Sequence, residues 1–155
     1  MAKTIEDFAK LFGAKISLEK SLVFKKKDKF FLFGPNLKKL AGKGGGWLFA
    51  GTYLGKIENG ELFPSFPLLS MVAEQAKNKV VVDDKTAWLF VCGRDIFKEG
   101  ILEAYGSRSR GAYTLVFNRY GECLGFGKIE RDLDETKRGV VIKNILDVGD
   151  FLRRE

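Results

Sequence analysis

The sequence predicts an α+β fold in two parts: an N-terminal α/β domain (residues 1–77), with an antiparallel sheet and flanking helices, and a C-terminal small β-barrel domain (residues 78–155). Three observations support this prediction. Helical and hairpin patterns mix in the first half, whereas short strands fill the second half. The 155 residues are 45% hydrophobic, enough to bury a core without disulfides or metals. The charge also differs between the halves.

The two halves carry different cations. Residues 1–77 hold thirteen lysines, no arginine and seven acidic residues, whereas residues 78–155 hold six lysines, eight arginines and thirteen acidic residues. The net charges are therefore +6 and +1, and the whole chain carries +7. This charge favours encounter with a polyanion such as nucleic acid, because Lys and Arg contacts release phosphate counterions. A solvated basic surface without a partner would give the same composition.

Local patterns predict each element of the first half. Thr4 precedes an amphipathic helix that Gly13 closes. Asn59-Gly60 supplies the two positive φ angles of a tight hairpin turn, and Pro67 suits the first turn of a helix. The predicted elements are a helix over 5–12, a hairpin of 21–24 and 30–33 with a four-lysine tip over 25–29, a short helix near 36–41, strands over 47–57 and 62–63, and a helix over 67–77.

The second half is predicted as strands around one short helix. Asp83-Asp84 starts this helix, which contains Trp88 and ends at Gly93. At Gly125-Phe126-Gly127 we expect another backbone to approach the strand closely. Strands are predicted over 80–82, 101–105, 113–117, 123–129 and 140–146. Their spacing fits a closed or nearly closed barrel.

Several classes of site lack support in the sequence. No histidine is present, which removes the commonest general base and metal ligand. The acidic pairs Asp83-Asp84 and Asp134-Glu135 are expected to favour the starts of short helices. Cys92 and Cys123 have no neighbouring cysteine and are expected to be reduced core residues. We therefore expect no catalytic site, metal or cofactor.

No apolar run reaches the roughly 18 residues of a membrane span, and the N-terminus lacks the pattern of a secretory signal. A soluble, cytoplasmic protein without a membrane partner is the expectation.

Ordered segments in both halves resemble a known family. Those of the second half are 79–82 (KVVV), 93–101 (GRDIFKEGI), 124–127 (LGFG) and 148–153 (VGDFLR). They resemble a PUA domain, named for pseudouridine synthases and archaeosine transglycosylases. Those of the first half are 31–41 (FLFGPNLKKLA) and 51–56 (GTYLGK). Together they make the chain similar to the Nip-seven-type ribosome-biogenesis proteins, in a compact, archaeal-like form.

The resemblance implies a C-terminal PUA domain and a non-catalytic, RNA-binding role in ribosome biogenesis, in large-subunit pre-rRNA processing and assembly. It implies pre-rRNA or rRNA as the partner, in single-stranded regions. Protein partners in ribosome assembly or the exosome, contacted through the N-terminal domain, are a further expectation.

The resemblance also implies the site, because PUA domains usually bind RNA on a face formed by the first helix, the following strand and the final strand. The candidates for RNA binding are Arg153, Arg154, Arg94, Lys98, Lys79 and Lys85. An arginine fork can give one phosphate two hydrogen bonds. Arg94 and Lys98 bracket a Gly-bounded loop that could approach a sugar-phosphate chain. The alternative is a disordered charged terminus for Arg153 and Arg154, and a solvated loop charge for Arg94 and Lys98.

Base recognition would need aromatic platforms for unstacked bases. Most aromatic residues occupy core-like positions, and Tyr105, Tyr113 and Tyr120 are the exceptions, with structural packing as the alternative. The loop 107–110 (SRSR) could also clamp a phosphate.

Two other functions stay open. An RNA-modification enzyme, or its accessory RNA-binding subunit, would need a catalytic acid in the first half. The acids available there occupy predicted helix, turn or hairpin positions, and they are Glu6, Asp7, Glu19, Asp28, Glu58, Glu61 and Glu74. An adaptor that contacts proteins alone would leave the positive charge incidental.

Overall fold

A computed structural model describes residues 2–18, 22–33 and 52–153. The chain divides into two compact units, the first formed by Met1–Lys10 and Lys15–Glu74, the second by Leu11–Ala14 and Gln75–Glu155. The domain ranges 1–77 and 78–155 stay a prediction. The predicted features that lie outside the described residues are Glu19, the first residue of the strand over 21–24, the helix near 36–41, the start of the strand over 47–57, and Arg154.

The first unit contains a four-stranded antiparallel sheet in the order β1-β2-β3-β4. Its elements are α1 (Ala2–Lys10), β1 (Val23–Lys26), β2 (Lys29–Leu32), β3 (Thr52–Glu58), β4 (Glu61–Pro64) and α2 (Phe66–Gln75). Asn59 and Gly60 join β3 to β4 with φ angles of 53° and 80°, as the tight-turn prediction requires. Leu54 and Leu68 are fully buried in this unit.

Two differences from the predicted boundaries in the first unit have identifiable causes. The β1–β2 turn contains only Lys27 and Asp28, because the strands continue through the lysines and pair Lys25 with Phe30. The Lys25 ammonium lies 5.7 Å from the centre of the Phe30 ring, which favours this pairing over a wide charged loop. Helix α1 ends at Lys10, because the Phe12 carbonyl accepts hydrogen bonds from the backbone N–H groups of Lys77 and Asn78.

The second unit contains a six-stranded sheet, curled into a half-barrel, in the order β6-β10-β9-β8-β5-β7. Its elements are β5 (Lys79–Val82), α3 (Asp84–Val91), β6 (Ile96–Phe97), a 3₁₀ turn (Lys98–Gly100), β7 (Ile101–Tyr105), β8 (Tyr113–Asn118), β9 (Cys123–Ile129), β10 (Val140–Asp147) and α4 (Val148–Arg153). Strands β5 and β8 run parallel. The α+β class is confirmed, as are the four long predicted strands and helix α3.

One face of the second sheet packs on α3 through a core of aliphatic side chains and Phe90. Phe12 packs edge-on against Tyr113 and Phe126, with ring centres 6.3 and 5.3 Å away. A Cβ at Gly125 would overlap the carbonyl oxygen of Leu146, which confirms the predicted close approach of a neighbouring backbone.

Helix α3 begins as its sequence predicts. The Thr86 backbone N–H donates to Asp83 Oδ1 at 2.8 Å, and hydrogen bonding to Thr86 lowers the pKa of Asp83. The second acidic pair was predicted wrongly, since Asp134 and Glu135 lie in a turn where their N–H groups donate to Asp132. That side chain bonds the backbone locally instead of starting a helix.

The prediction that both cysteines are core residues was wrong for Cys92. It caps the end of α3 on the exposed side of the helix. Cys123 is partly buried, and burial raises the pKa of its thiol. None of the described helices is long and apolar enough to cross a bilayer.

Candidate nucleic-acid interface

Helix α3 turns Phe90 into the core and presents the opposite side to solvent. Lys85 and Trp88 lie on this exposed side three residues apart, the spacing of side-chain neighbours on a helix. Trp88 has 66% of its surface exposed. Arg94 follows the helix, and its backbone N–H donates to the Leu89 carbonyl at 3.0 Å. We call Lys85, Trp88 and Arg94 the α3 surface.

The backbone of the loop that carries Arg94 is fixed by Asn144 of β10. The Asn144 side-chain amide donates to the carbonyls of Phe90 (2.9 Å) and Arg94 (3.3 Å), and its backbone N–H donates to Asp95 Oδ1 (2.9 Å). The Arg94 side chain is exposed, and no hydrogen bond or ion pair from its guanidinium to another described residue is found. A positioned backbone with an available guanidinium suits phosphate binding.

Lys98 does not share this arrangement. Its ammonium donates to the Leu133 carbonyl at 2.6 Å, and its backbone N–H donates to the Gly139 carbonyl at 2.8 Å. The side chain is half-buried and fastens the 3₁₀ turn to the 131–139 turn. Strand β6 separates it from Arg94, a span of up to about 13 Å for four extended residues.

Arg153 is bound within the fold. Its guanidinium donates to both carboxylate oxygens of Asp147, at 3.1 and 3.0 Å, and to the Val91 carbonyl at 3.1 Å. Asp147 is only 3% exposed, so this pair satisfies a buried charge. The fork predicted to bind phosphate therefore faces an internal carboxylate, although 48% of the Arg153 side chain stays exposed.

Lys79 lies at the opposite end of β5 from helix α3. Its ammonium is 5.3 Å from the centre of the Tyr105 ring, beside a groove of about 400 Å³ lined also by Val81 and Phe117. The Tyr105 hydroxyl donates to the Glu103 carboxylate, which raises the pKa of Tyr105. The structure thus brings Lys85 and Arg94 to the two ends of one helix and places Lys79 at the far end of β5, in a groove that Arg119 also lines.

Tyr120 and Arg119 form the β8–β9 turn, beside the start of α3. Arg119 Nη2 is 3.0 Å from Asp84 Oδ2 and donates to the Tyr120 hydroxyl at 3.0 Å. These two contacts raise the pKa of Arg119, the hydrogen bond more than the charge. Tyr120 is 70% exposed. Tyr113 differs, since it is half-buried and packs on Phe12.

Sequence reasoning missed Trp88 as an exposed residue. The signal was present, because a helical projection places Trp88 on the side of Asp84 and Lys85, away from Phe90. In the loop 107–110, offered by the sequence as a possible phosphate clamp, Arg108 pairs with Asp134 at 3.1 Å and donates to the Ala104 carbonyl at 2.9 Å.

The first unit carries its own basic patch on the β1–β2 hairpin. Lys29 is the register partner of Lys26 on one side and of Lys56 on the other. All three lysines line a groove of about 440 Å³. Lys56 also lies 3.0 Å from Glu58.

Comparison with known proteins matches the second unit to a family. The model of the UPF0113 PUA domain family matches residues 78–155. A UPF0113 protein of Archaeoglobus fulgidus is 28% identical over 111 residues, which cover 69% of this chain. The match spans 63% of that relative's length.

Two solved structures are similar over nearly the whole chain. A conserved PUA domain protein from Thermoplasma acidophilum is 27% identical, with a TM-score of 0.66 over 99% of this chain and 92% of that one. A hypothetical protein from Pyrococcus horikoshii is 17% identical, with a TM-score of 0.59 over 99% of this chain and 95% of that one, and shows the fold alone.

Proposed function

Because the chain belongs to the UPF0113 PUA domain family, we propose that it is a non-catalytic RNA-binding factor of ribosome biogenesis that acts in large-subunit pre-rRNA processing and assembly. The PUA domain suggests RNA binding. The finer role follows the resemblance to Nip-seven-type proteins in the segments of both halves. A cytoplasmic location and protein partners in ribosome assembly or the exosome, contacted through the first unit, are parts of the same proposal.

The α3 surface is the observation that carries the proposal. Lys85 and Arg94 are exposed cations on the first helix of the PUA domain and on the loop that follows it. Their side chains are not used to close the fold in the way that Lys98 and Arg153 are. Two cations about a helix length apart can contact phosphates along one strand of RNA.

Removing both cations tests this interface. We expect Lys85→Ala with Arg94→Ala to weaken binding to single-stranded RNA. The negative slope of log affinity against log salt should become shallower by about 1.4, at roughly 0.7 per lost phosphate contact. The matched control is Lys137→Ala with Arg138→Ala, which removes the same charge from exposed positions in the 131–139 turn. Equal slopes and affinities for the two double variants would exclude the α3 surface as the interface.

The ribosomal part of the proposal needs a separate measurement. Crosslinking in cells, followed by sequencing of the attached RNA, should recover large-subunit pre-rRNA in single-stranded regions. Recovery of tRNA or messenger RNA without rRNA would contradict it. New modified nucleosides in RNA incubated with pure protein would contradict the non-catalytic role and favour the RNA-modification alternative.

A further inference from the structure

Two large aromatic side chains project from the second unit near the start of α3. Trp88 is 66% exposed and Tyr120 is 70% exposed. Single exposed apolar residues are common on protein surfaces and need no explanation by themselves. The contacts around these two residues, however, bring them to the same part of the unit.

Asp84 connects the two aromatic residues. Arg119 pairs with Asp84 at 3.0 Å, and its guanidinium lies 5.1 Å from the centre of the Tyr120 ring. Trp88 follows Asp84 by four residues, so the two side chains are neighbours on one side of the helix, with Cβ atoms about 5–6 Å apart. Arg119 therefore holds the turn that carries Tyr120 beside the helix face that carries Trp88.

Cations flank the two rings. Lys85 lies one helical turn before Trp88, and Arg94 follows the end of the same helix. Aromatic rings interspersed with cations are typical of surfaces that bind single-stranded nucleic acid, because bases stack on the rings while the cations contact the backbone. A surface for a neutral apolar partner would not need this charge.

We propose that Trp88 stacks an unpaired base of the bound RNA and that Tyr120 offers a second stacking face. Lys85 and Arg94 contact the phosphates on either side. Arg119 is a positioning residue, since its guanidinium covers one face of the Tyr120 ring and its ion pair fixes the turn to α3. This inference rests on the proposed RNA binding and adds the side chains that would recognise an unpaired base.

Tryptophan fluorescence gives a direct measurement. The chain has two tryptophans, so Trp47→Phe leaves Trp88 as the single reporter. Titration with a single-stranded oligouridylate should quench Trp88 emission, because a stacked base contacts the indole ring. An RNA duplex of equal length should quench it much less. Equal quenching by both, or quenching by neither while the oligouridylate still binds, would overturn the inference.

Affinity supplies the second measurement. We expect Trp88→Ala to weaken binding of the single-stranded oligonucleotide about 5- to 150-fold, the range for losing one stacked base, with the salt slope unchanged. Trp88→Phe should retain most of the affinity. The matched control is Phe24→Ala, which removes an exposed aromatic residue from the first unit.

An abasic oligonucleotide completes the test. Wild type should bind it more weakly than the normal strand, whereas Trp88→Ala should bind the two strands equally. If wild type binds no RNA at all, the proposed function and this inference both fail. If wild type binds RNA with a normal salt slope and Trp88→Ala loses nothing, only the stacking inference fails.

Discussion

The lysines of the first unit and the arginines of the second unit are used differently. In the second unit, the four described arginines for which side-chain contacts are found all bind carbonyls or carboxylates of the same unit. Their contacts are Arg108 to Asp134 and Ala104, Arg119 to Asp84 and Tyr120, Arg131 to the carbonyls of Arg138 and Val140, and Arg153 to Asp147 and Val91. The planar guanidinium, with five donors, suits this role.

Three lysines of the first unit face one another instead. Lys26, Lys29 and Lys56 are register partners across three neighbouring strands, an arrangement in which like charges repel. One of them, Lys56, also pairs with Glu58. The comparison teaches that the number of cations in a segment does not tell how many of them are available to a partner.

Among the substitutions that test this comparison, Arg153→Ala should change the stability of the protein most. It leaves the buried Asp147 carboxylate without its guanidinium, so we expect the free energy of unfolding to fall by about 2–3 kcal/mol, below the cost of breaking a fully buried pair because Arg153 is half-exposed. Urea denaturation measures this loss. Arg153→Lys should recover only part of it, since one ammonium cannot replace the fork.

RNA binding separates the two roles of Arg153. Its substitution by alanine should leave the salt slope unchanged under conditions where the variant is folded. A salt slope shallower by about 0.7, with little loss of stability, would instead show that Arg153 contacts the RNA.

Lys29→Glu should raise the stability of the first unit, by less than Arg153→Ala lowers that of the protein. It replaces two cross-strand repulsions with attractions, so we expect the free energy of unfolding of the first unit to rise by about 0.2–1 kcal/mol at low salt. The gain should disappear near 1 M salt, where the screening length falls to about 3 Å. A loss of stability at low salt would show that another interaction of Lys29 outweighs the repulsion.

Most of the fold follows from local sequence. Strands over 101–105 and 123–129 match their predicted bounds, because the turn residues beside them delimit them locally. Strand β6 and helix α4 were missed. Each is too short to show a period, and tertiary hydrogen bonds fix them, such as those from Asn144 and Arg153.

The site was predicted less well because its chemistry depends on distant partners. Lys98 is bound by the carbonyl of Leu133, and Arg153 by Asp147 and Val91, and none of these partners can be identified from the residues next to them. Lys85 and Arg94 lie on and just after a helix that the sequence predicted, so their positions depend on local spacing. The same argument could have identified Trp88, since helical spacing alone places it beside Lys85.

The position of Phe12 has a consequence for the order of events during synthesis. Its ring packs against Tyr113 and Phe126, near the far end of the chain. Tyr113 is made about 100 residues after Phe12, a delay of about 5–20 s at roughly 5–20 residues per second. Throughout that delay the aromatic side chain lacks its native neighbours in the second unit. The nascent polypeptide must therefore keep an early hydrophobic group from premature association until β8 and β9 emerge.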